Sequence, residues 1–225
     1  MKWFIDLFTS SLGRKALMAL TGLFLILFLA VHLAGNLQLL KNDGGRAFNI
    51  YAEFMSTNPL IQTVSKGNFA FILLHVFMSL YLTIKNRQAR GPEGYAMKSG
   101  KSSAWTSRNM GILGTLVLVF LVIHLKDFYG QMHFGQMEMV EYEGERYRNI
   151  YATVAYWFEK EWYVALYVFC MGAVGFHLWH GFSSAFQTLG WSHPKYNPLI
   201  HFVGKAFAVV VPALFALIPI WMYLN

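Results

Sequence analysis

The sequence predicts an all-α, polytopic membrane protein, a single membrane domain over residues 1–225 built as a bundle of five transmembrane helices. Mean hydropathy is positive, and charged residues make up only 13% of the chain. Those charges are grouped between apolar runs at about 16–40, 67–84, 109–125, 162–187 and 206–224. Runs of this length are read as membrane-crossing helices, because a backbone in lipid must satisfy its own hydrogen bonds. Lysine and arginine are also distributed unevenly between alternate connections, as in multi-pass proteins.

Trp3, Phe4, Ile5, Leu7 and Phe8 alternate with polar positions in the first fifteen residues, which predicts a short amphipathic helix on the membrane surface. The first run, 16–40, is longer than a signal-peptide core and no small-x-small site follows it, so it is expected to be retained. Asn58-Pro59 marks a break before the second span, and Gly91-Pro92 marks a turn after it. The second and third runs are short, and their helices are expected to extend into Leu60–Ser65 and Ala104–Ser107. The expected spans are therefore about 16–40, 60–84, 106–126, 162–187 and 204–224. Cys170 is the single cysteine, which excludes an intrachain disulfide, a thiolate zinc site and covalent haem attachment through paired cysteines.

Summed over alternate connections, the N-terminal side carries eleven Lys/Arg against two acids, and the opposite side seven against nine. The positive-inside rule then places the N-terminus in the cytoplasm and the C-terminus outside. The basic face attracts anionic lipid and would suit a docked soluble subunit.

Each of the first four spans contains histidine: His32, His75, His124, and His177 with His180. Ionisable side chains at membrane depth are rare and need a partner. His32 lies 17 residues after Lys15 and His124 lies 16 after Arg108, roughly 25 Å from that flank at 1.5 Å per residue. His75 lies 10 residues before Lys85 and His177 lies 10 before Gln187, roughly 15 Å from it. The four imidazoles thus fall into two layers separated by roughly 10 Å if the helix tilts are similar. Facing histidines at one depth in a bundle can grip a metal macrocycle from both sides, and bis-imidazole haem iron favours electron transfer. The expected fold is thereby a five-helix bundle enclosing two haems b.

Zinc or copper would need three or four converging ligands, which two separate layers do not offer. A proton relay would enlist carboxylates, and the expected spans contain none. Gly22, Gly35, Gly111, Gly114, Gly172, Gly175 and Gly181 would give a porphyrin room, or allow close helix packing. His180, three residues beyond His177, could bond a haem propionate or replace His177 as ligand. His133, His193 and His201 fall in or next to loops.

Gly44-Gly-Arg-Ala-Phe-Asn-Ile-Tyr-Ala-Glu-Phe-Met55, the histidines of four spans, and His177-Leu-Trp-His-Gly-Phe-Ser-Ser-Ala-Phe-Gln-Thr-Leu-Gly190 together carry a resemblance over nearly the whole chain. The sequence resembles the cytochrome b membrane anchor of succinate dehydrogenases and fumarate reductases, in the bacterial type where one five-helix chain carries two haems b. In that family the histidine 13 residues before the last motif glycine is the ligand, which here is His177 rather than His180. The resemblance implies His32 with His124 for the distal haem and His75 with His177 for the proximal one, all four as axial ligands of iron. It also implies flavoprotein and iron–sulfur subunits docked on the cytoplasmic face of a bacterial inner membrane. The partners are then those subunits, membrane lipid and a quinone, usually menaquinone, and not nucleic acid. Some members carry Glu two residues before the fourth-span histidine, and Gly175 stands there in this chain.

On this reading electrons run between succinate or fumarate chemistry in a partner subunit and the quinone, through the proximal and distal haems. Quinone reduction consumes protons, and Glu53, after the first span on the outer side, is the candidate group. Rival readings are a di-haem b anchor of a hydrogenase or formate dehydrogenase, a histidine-using transporter, and a purely structural anchor.

Overall fold

The computed structural model describes residues 8–91 and 105–225. The amphipathic pattern over residues 3–7, Pro92, and the basic connection with Glu93, Lys98 and Lys101 lie outside the described residues.

Five helical stretches are long and apolar enough to cross a membrane: Ser11–Leu40, Pro59–Ala89, Met110–Phe134, Glu161–Thr188 and Asn197–Leu224. Helix α1 (Ser11–Asn36) opens on Ser10, whose hydroxyl accepts from Gly13 N at 3.0 Å, and ends in a 3-10 turn through Leu40. Helix α2 (Arg46–Thr57) is short and follows Gly45, whose φ of +84° and close approach to the Tyr151 ring leave no room for a side chain. Asn58 then caps α3 (Pro59–Arg90), accepting from Leu60 N and Ile61 N, with Pro59 at the helix start where its missing N–H is harmless. The Asn58-Pro59 break thus starts the second long helix outright.

Helix α4 (Met110–His124) runs on into a π-helical turn, Leu125–Gly130, and one more α turn, Gln131–Phe134. The third helix therefore runs past its expected end near 126 and carries Lys126 and Asp127 within its length. A Cβ at Gly130 would touch Leu125 O at 3.4 Å, an ordinary contact within the widened turn.

Between the third and fourth long helices the sequence predicts only a connection in an all-α fold. The structure has an antiparallel hairpin there, β1 (Met139–Tyr142) with β2 (Glu145–Arg148), followed by helix α5 (Ile150–Phe158). Glu143 and Gly144 both have positive φ, 54° and 84°, which is the two-residue geometry whose twist matches paired strands.

Helix α6 (Glu161–Thr188) is the central element, packed against α1, α4 and α7 (Asn197–Leu224). Tyr163, Tyr167, Cys170, Met171 and Ala173 on α6 are all buried. Pro212 and Pro219 sit inside α7, buried against neighbouring helices, the setting in which a long apolar helix tolerates proline.

The main buried cluster lies at the end of the bundle remote from the start of α1. There α2, the hairpin and α5 cover the helix ends, and Leu33, Phe48, Ile150, Phe158, Tyr163 and Tyr167 pack together. Asn49, 0% exposed, ties this cap internally: its Nδ2 donates to the Tyr142 hydroxyl at 3.1 Å and its Oδ1 accepts from Tyr151 N at 2.8 Å. Arg46 pairs with Glu143, and Arg148 with Glu53 at 3.0 Å, so both ion pairs also fasten α2 to the hairpin.

Candidate functional site

The imidazoles of four long helices meet in two opposed pairs. His32 on α1 and His124 on α4 have ring centroids 5.7 Å apart with planes at 88°. His75 on α3 and His177 on α6 have centroids 6.4 Å apart with planes at 68°. A Cβ at Gly22 would lie 3.4 Å from His75 Cε1, and one at Gly114 would lie 3.7 Å from His177 Cε1. Gly22 precedes His32 by ten residues on α1, and Gly114 precedes His124 by ten on α4. The two pairs are therefore about 15 Å apart along those helices, rather than the roughly 10 Å expected from counting between flanking charges.

Hydrogen bonds decide which ring nitrogen is free in two of the four. The Thr21 hydroxyl has one proton, which goes to Leu17 O at 2.8 Å, with Met18 O at 3.0 Å as the alternative acceptor. Its oxygen lies 3.1 Å from His75 Nδ1 and can only accept there, so Nδ1 carries the proton and Nε2 keeps its lone pair. His124 Nδ1 lies 3.1 Å from the Tyr167 hydroxyl. His177 Nδ1 is buried and has no hydrogen-bond partner among the described residues. His32 stacks on Phe28, centroids 5.3 Å apart, and Asn36 Nδ2 donates to its backbone oxygen.

This arrangement fits an axial pair of metal ligands. An imidazole–metal bond of about 2.0 Å on each side, with about 1.1 Å from nitrogen to ring centre, separates two ligating rings by roughly 6.2 Å. The observed 5.7 and 6.4 Å bracket that separation. Among the described residues there is no group of three or more His, Cys, Asp or Glu that could hold a bare ion. Two opposed donors suit a metal whose remaining positions come from a macrocycle.

The other sequence-derived candidates are placed as follows. His180 Nε2 lies 3.1 Å from Ser184 Oγ and faces a cavity of about 380 Å³, with Lys205, His201, Gln187 and Thr106 also in its lining. Lys205 and the two imidazoles give that mixed polar and apolar recess groups that would accept a carboxylate. Glu53 does not approach an imidazole pair: its Oε2 accepts from Arg148 Nε at 3.0 Å, and Arg148 also donates to Ser56 Oγ and Met132 O. His133 stacks on Tyr129 at 4.0 Å. His193 Nδ1 accepts from Lys195 N, and His201 Nδ1 lies 3.0 Å from Ser183 Oγ. Gly175 lets α6 meet α7, because a Cβ there would lie 3.0 Å from Ala208 O. A glutamate at that position would force the two helices apart.

Asp127, one residue past the expected third span of 106–126, is a carboxylate that the sequence reads as part of a connection. It belongs to the Met110–Phe134 helix, is 3% exposed, and accepts from the Tyr163 hydroxyl at 2.9 Å. The legible signal was Tyr163 and Tyr167, four residues apart and hence on one face of a helix.

By its fold the chain is a mostly helical bundle with five helices long and apolar enough to cross a membrane, the build of a multi-pass membrane protein, and with two opposed histidine pairs inside it. No protein-family model matches it, nor does any curated protein or solved structure.

Proposed function

We propose that this chain is the di-haem cytochrome b anchor of a succinate:quinone oxidoreductase, a succinate dehydrogenase or quinol:fumarate reductase of the bacterial inner membrane. The observation that carries the reading is the two opposed imidazole pairs, 5.7 and 6.4 Å between ring centres, at two levels of one apolar bundle. Bound between each pair, a haem b would supply one-electron exchange at that level.

The chain's own residues do the rest. His32, His124, His75 and His177 would hold the two haems, with Thr21 bonded to His75 Nδ1 so that Nε2 is the nitrogen left to ligate. Gly22 and Gly114 lie against the inner pair, His75 with His177, the proximal haem's ligands in this reading, while His32 and His124 form the outer, distal pair. The recess of His180, His201 and Lys205 would bind propionate oxygens of the inner haem. The aliphatic and aromatic lining around His32 and His124, with Phe28, Phe120, Phe128 and Phe215, excludes water from the outer pair.

The N-terminal face, rich in Lys and Arg, is the proposed cytoplasmic docking surface for a flavoprotein and an iron–sulfur subunit. The capped face, with Glu53 and Arg148, is the proposed outer side, where a quinone, menaquinone in our reading, would exchange electrons and protons. Succinate and fumarate chemistry then resides on the partner subunits and not on this chain.

The test is to isolate the tagged chain from its native membrane, identify the subunits that come with it, and assay succinate- and fumarate-linked quinone turnover. Flavin, iron–sulfur centres and succinate-dependent quinone reduction support the reading. Hydrogenase or formate dehydrogenase subunits in their place would move the chain to another di-haem anchor, and a colourless preparation would abolish both.

A further inference from the structure

Asp127 lies in the π-helical turn three residues beyond His124, and a buried carboxylate so placed needs a reason. Its Oδ1 is 3.0 Å from Lys126 Nζ, whose side chain is 75% exposed, and its Oδ2 accepts from the Tyr163 hydroxyl at 2.9 Å. The Tyr163 and Tyr167 hydroxyls are 3.3 Å apart, and the Tyr167 hydroxyl is 3.1 Å from His124 Nδ1. Four groups thus form one continuous hydrogen-bonded chain from an ion pair to an imidazole.

The proton count gives that chain a direction. A carboxylate only accepts, so the single Tyr163 proton goes to Asp127. The Tyr163 oxygen then accepts the single Tyr167 proton. The Tyr167 oxygen is left to accept from His124, which puts the proton on Nδ1 and leaves the Nε2 lone pair free. Thr21 imposes the same tautomer on His75, but its own proton ends on a neutral backbone carbonyl. Among the described residues, a hydrogen-bonded chain ending on a charge reaches the outer pair alone.

We infer that Asp127, acting through Tyr163 and Tyr167, is a positioning residue that fixes the tautomer and ring orientation of His124 and strengthens Nε2 as a donor to iron. The inference rests on the di-haem reading. A hydrogen-bonded partner behind a ligating histidine raises its basicity, and a carboxylate at the end of a polarised chain does so more than a carbonyl. A more basic ligand favours the ferric state and lowers the potential of the outer haem alone.

Redox titration of the purified complex, following the haem absorbance and the low-spin ferric resonances separately for the two haems, tests this. Tyr167→Phe removes the acceptor for Nδ1, and the outer ferric-to-ferrous ratio at fixed potential should fall about tenfold, equivalent to a rise of about 59 mV. Asp127→Asn keeps an oxygen for Tyr163 and removes only the charge, so it should shift the same haem in the same direction by less. Tyr163→Phe should also raise it, and serves if Tyr167→Phe does not assemble. The inner haem should stay at its wild-type potential in all three. With both haems present, an unmoved outer potential, or equal shifts in both haems, overturns the inference alone. A preparation without haem overturns the di-haem reading and this inference with it.

Discussion

Thr21→Val isolates one oxygen atom beside the inner histidine pair. Valine matches threonine in shape, and Thr21 is 3% exposed, so packing should be kept. The loss is the acceptor 3.1 Å from His75 Nδ1. The bonds from the hydroxyl to Leu17 O and Met18 O contribute little, because those carbonyls also serve the helix ladder. An imidazole N–H left unpaired in an apolar interior costs about 1–3 kcal/mol. His75 escapes part of that by moving its proton to Nε2, which removes the lone pair that would ligate the metal. Loss of such a partner behind a metal ligand typically weakens the site about 10- to 100-fold. The assay is haem b per chain through successive dilution and repurification, with the two haems resolved by their ferric resonances. The inner haem should be lost first while the outer one stays. Retention of both at wild-type strength, with unchanged inner resonances, would refute the tautomer argument.

Other perturbations probe separate parts of the molecule. Asn49→Ala strips the cap of its central amide and leaves Tyr151 N without its acceptor; thermal unfolding in detergent should show a loss of about 1–3 kcal/mol, and a change under about 0.5 kcal/mol would refute that role. Gly114→Val should displace His177, because a Cβ alone would already touch its Cε1 at 3.7 Å and the two γ-methyls add bulk beyond that contact, and selective loss of the inner haem is the expected spectrum. The outer rings are nearly perpendicular at 88° and the inner ones lie at 68°, so the outer ferric haem should give the more anisotropic low-spin resonance. Glu53→Gln breaks the ion pair with Arg148; if Glu53 carries protons for the quinone, turnover falls and its pH profile changes, and wild-type behaviour in both rejects that assignment.

The sequence made the bundle legible because lipid imposes a length and an apolar composition on every crossing. The histidines were legible because residue number measures depth along a helix. Counting from Lys15, Lys85, Arg108 and Gln187 sorts four imidazoles into two layers, and ring contacts group them as the same two pairs. Helix ends were less legible. Lys126 and Asp127 look like the start of a loop, yet the helix continues through them because Asp127 is buried on Tyr163 and Lys126 reaches outward. Tyr163 and Tyr167 counted only as apolar bulk inside a long run, so the hydroxyl chain behind His124 was invisible until α4 and α6 were placed together. The cap was missed for a related reason. Its hairpin and two short helices lack a long periodic signal and are held by single contacts such as the amide of Asn49.

The central claim is that each imidazole pair grips one haem b. Its most direct test is haem quantified per chain, with a reduced-minus-oxidised spectrum, for the wild type beside His75→Ala and His124→Ala. The account predicts two haems b in the wild type and one in each variant, with the outer resonances surviving in His75→Ala and the inner ones in His124→Ala. A colourless wild type, or variants that keep both haems, would contradict it.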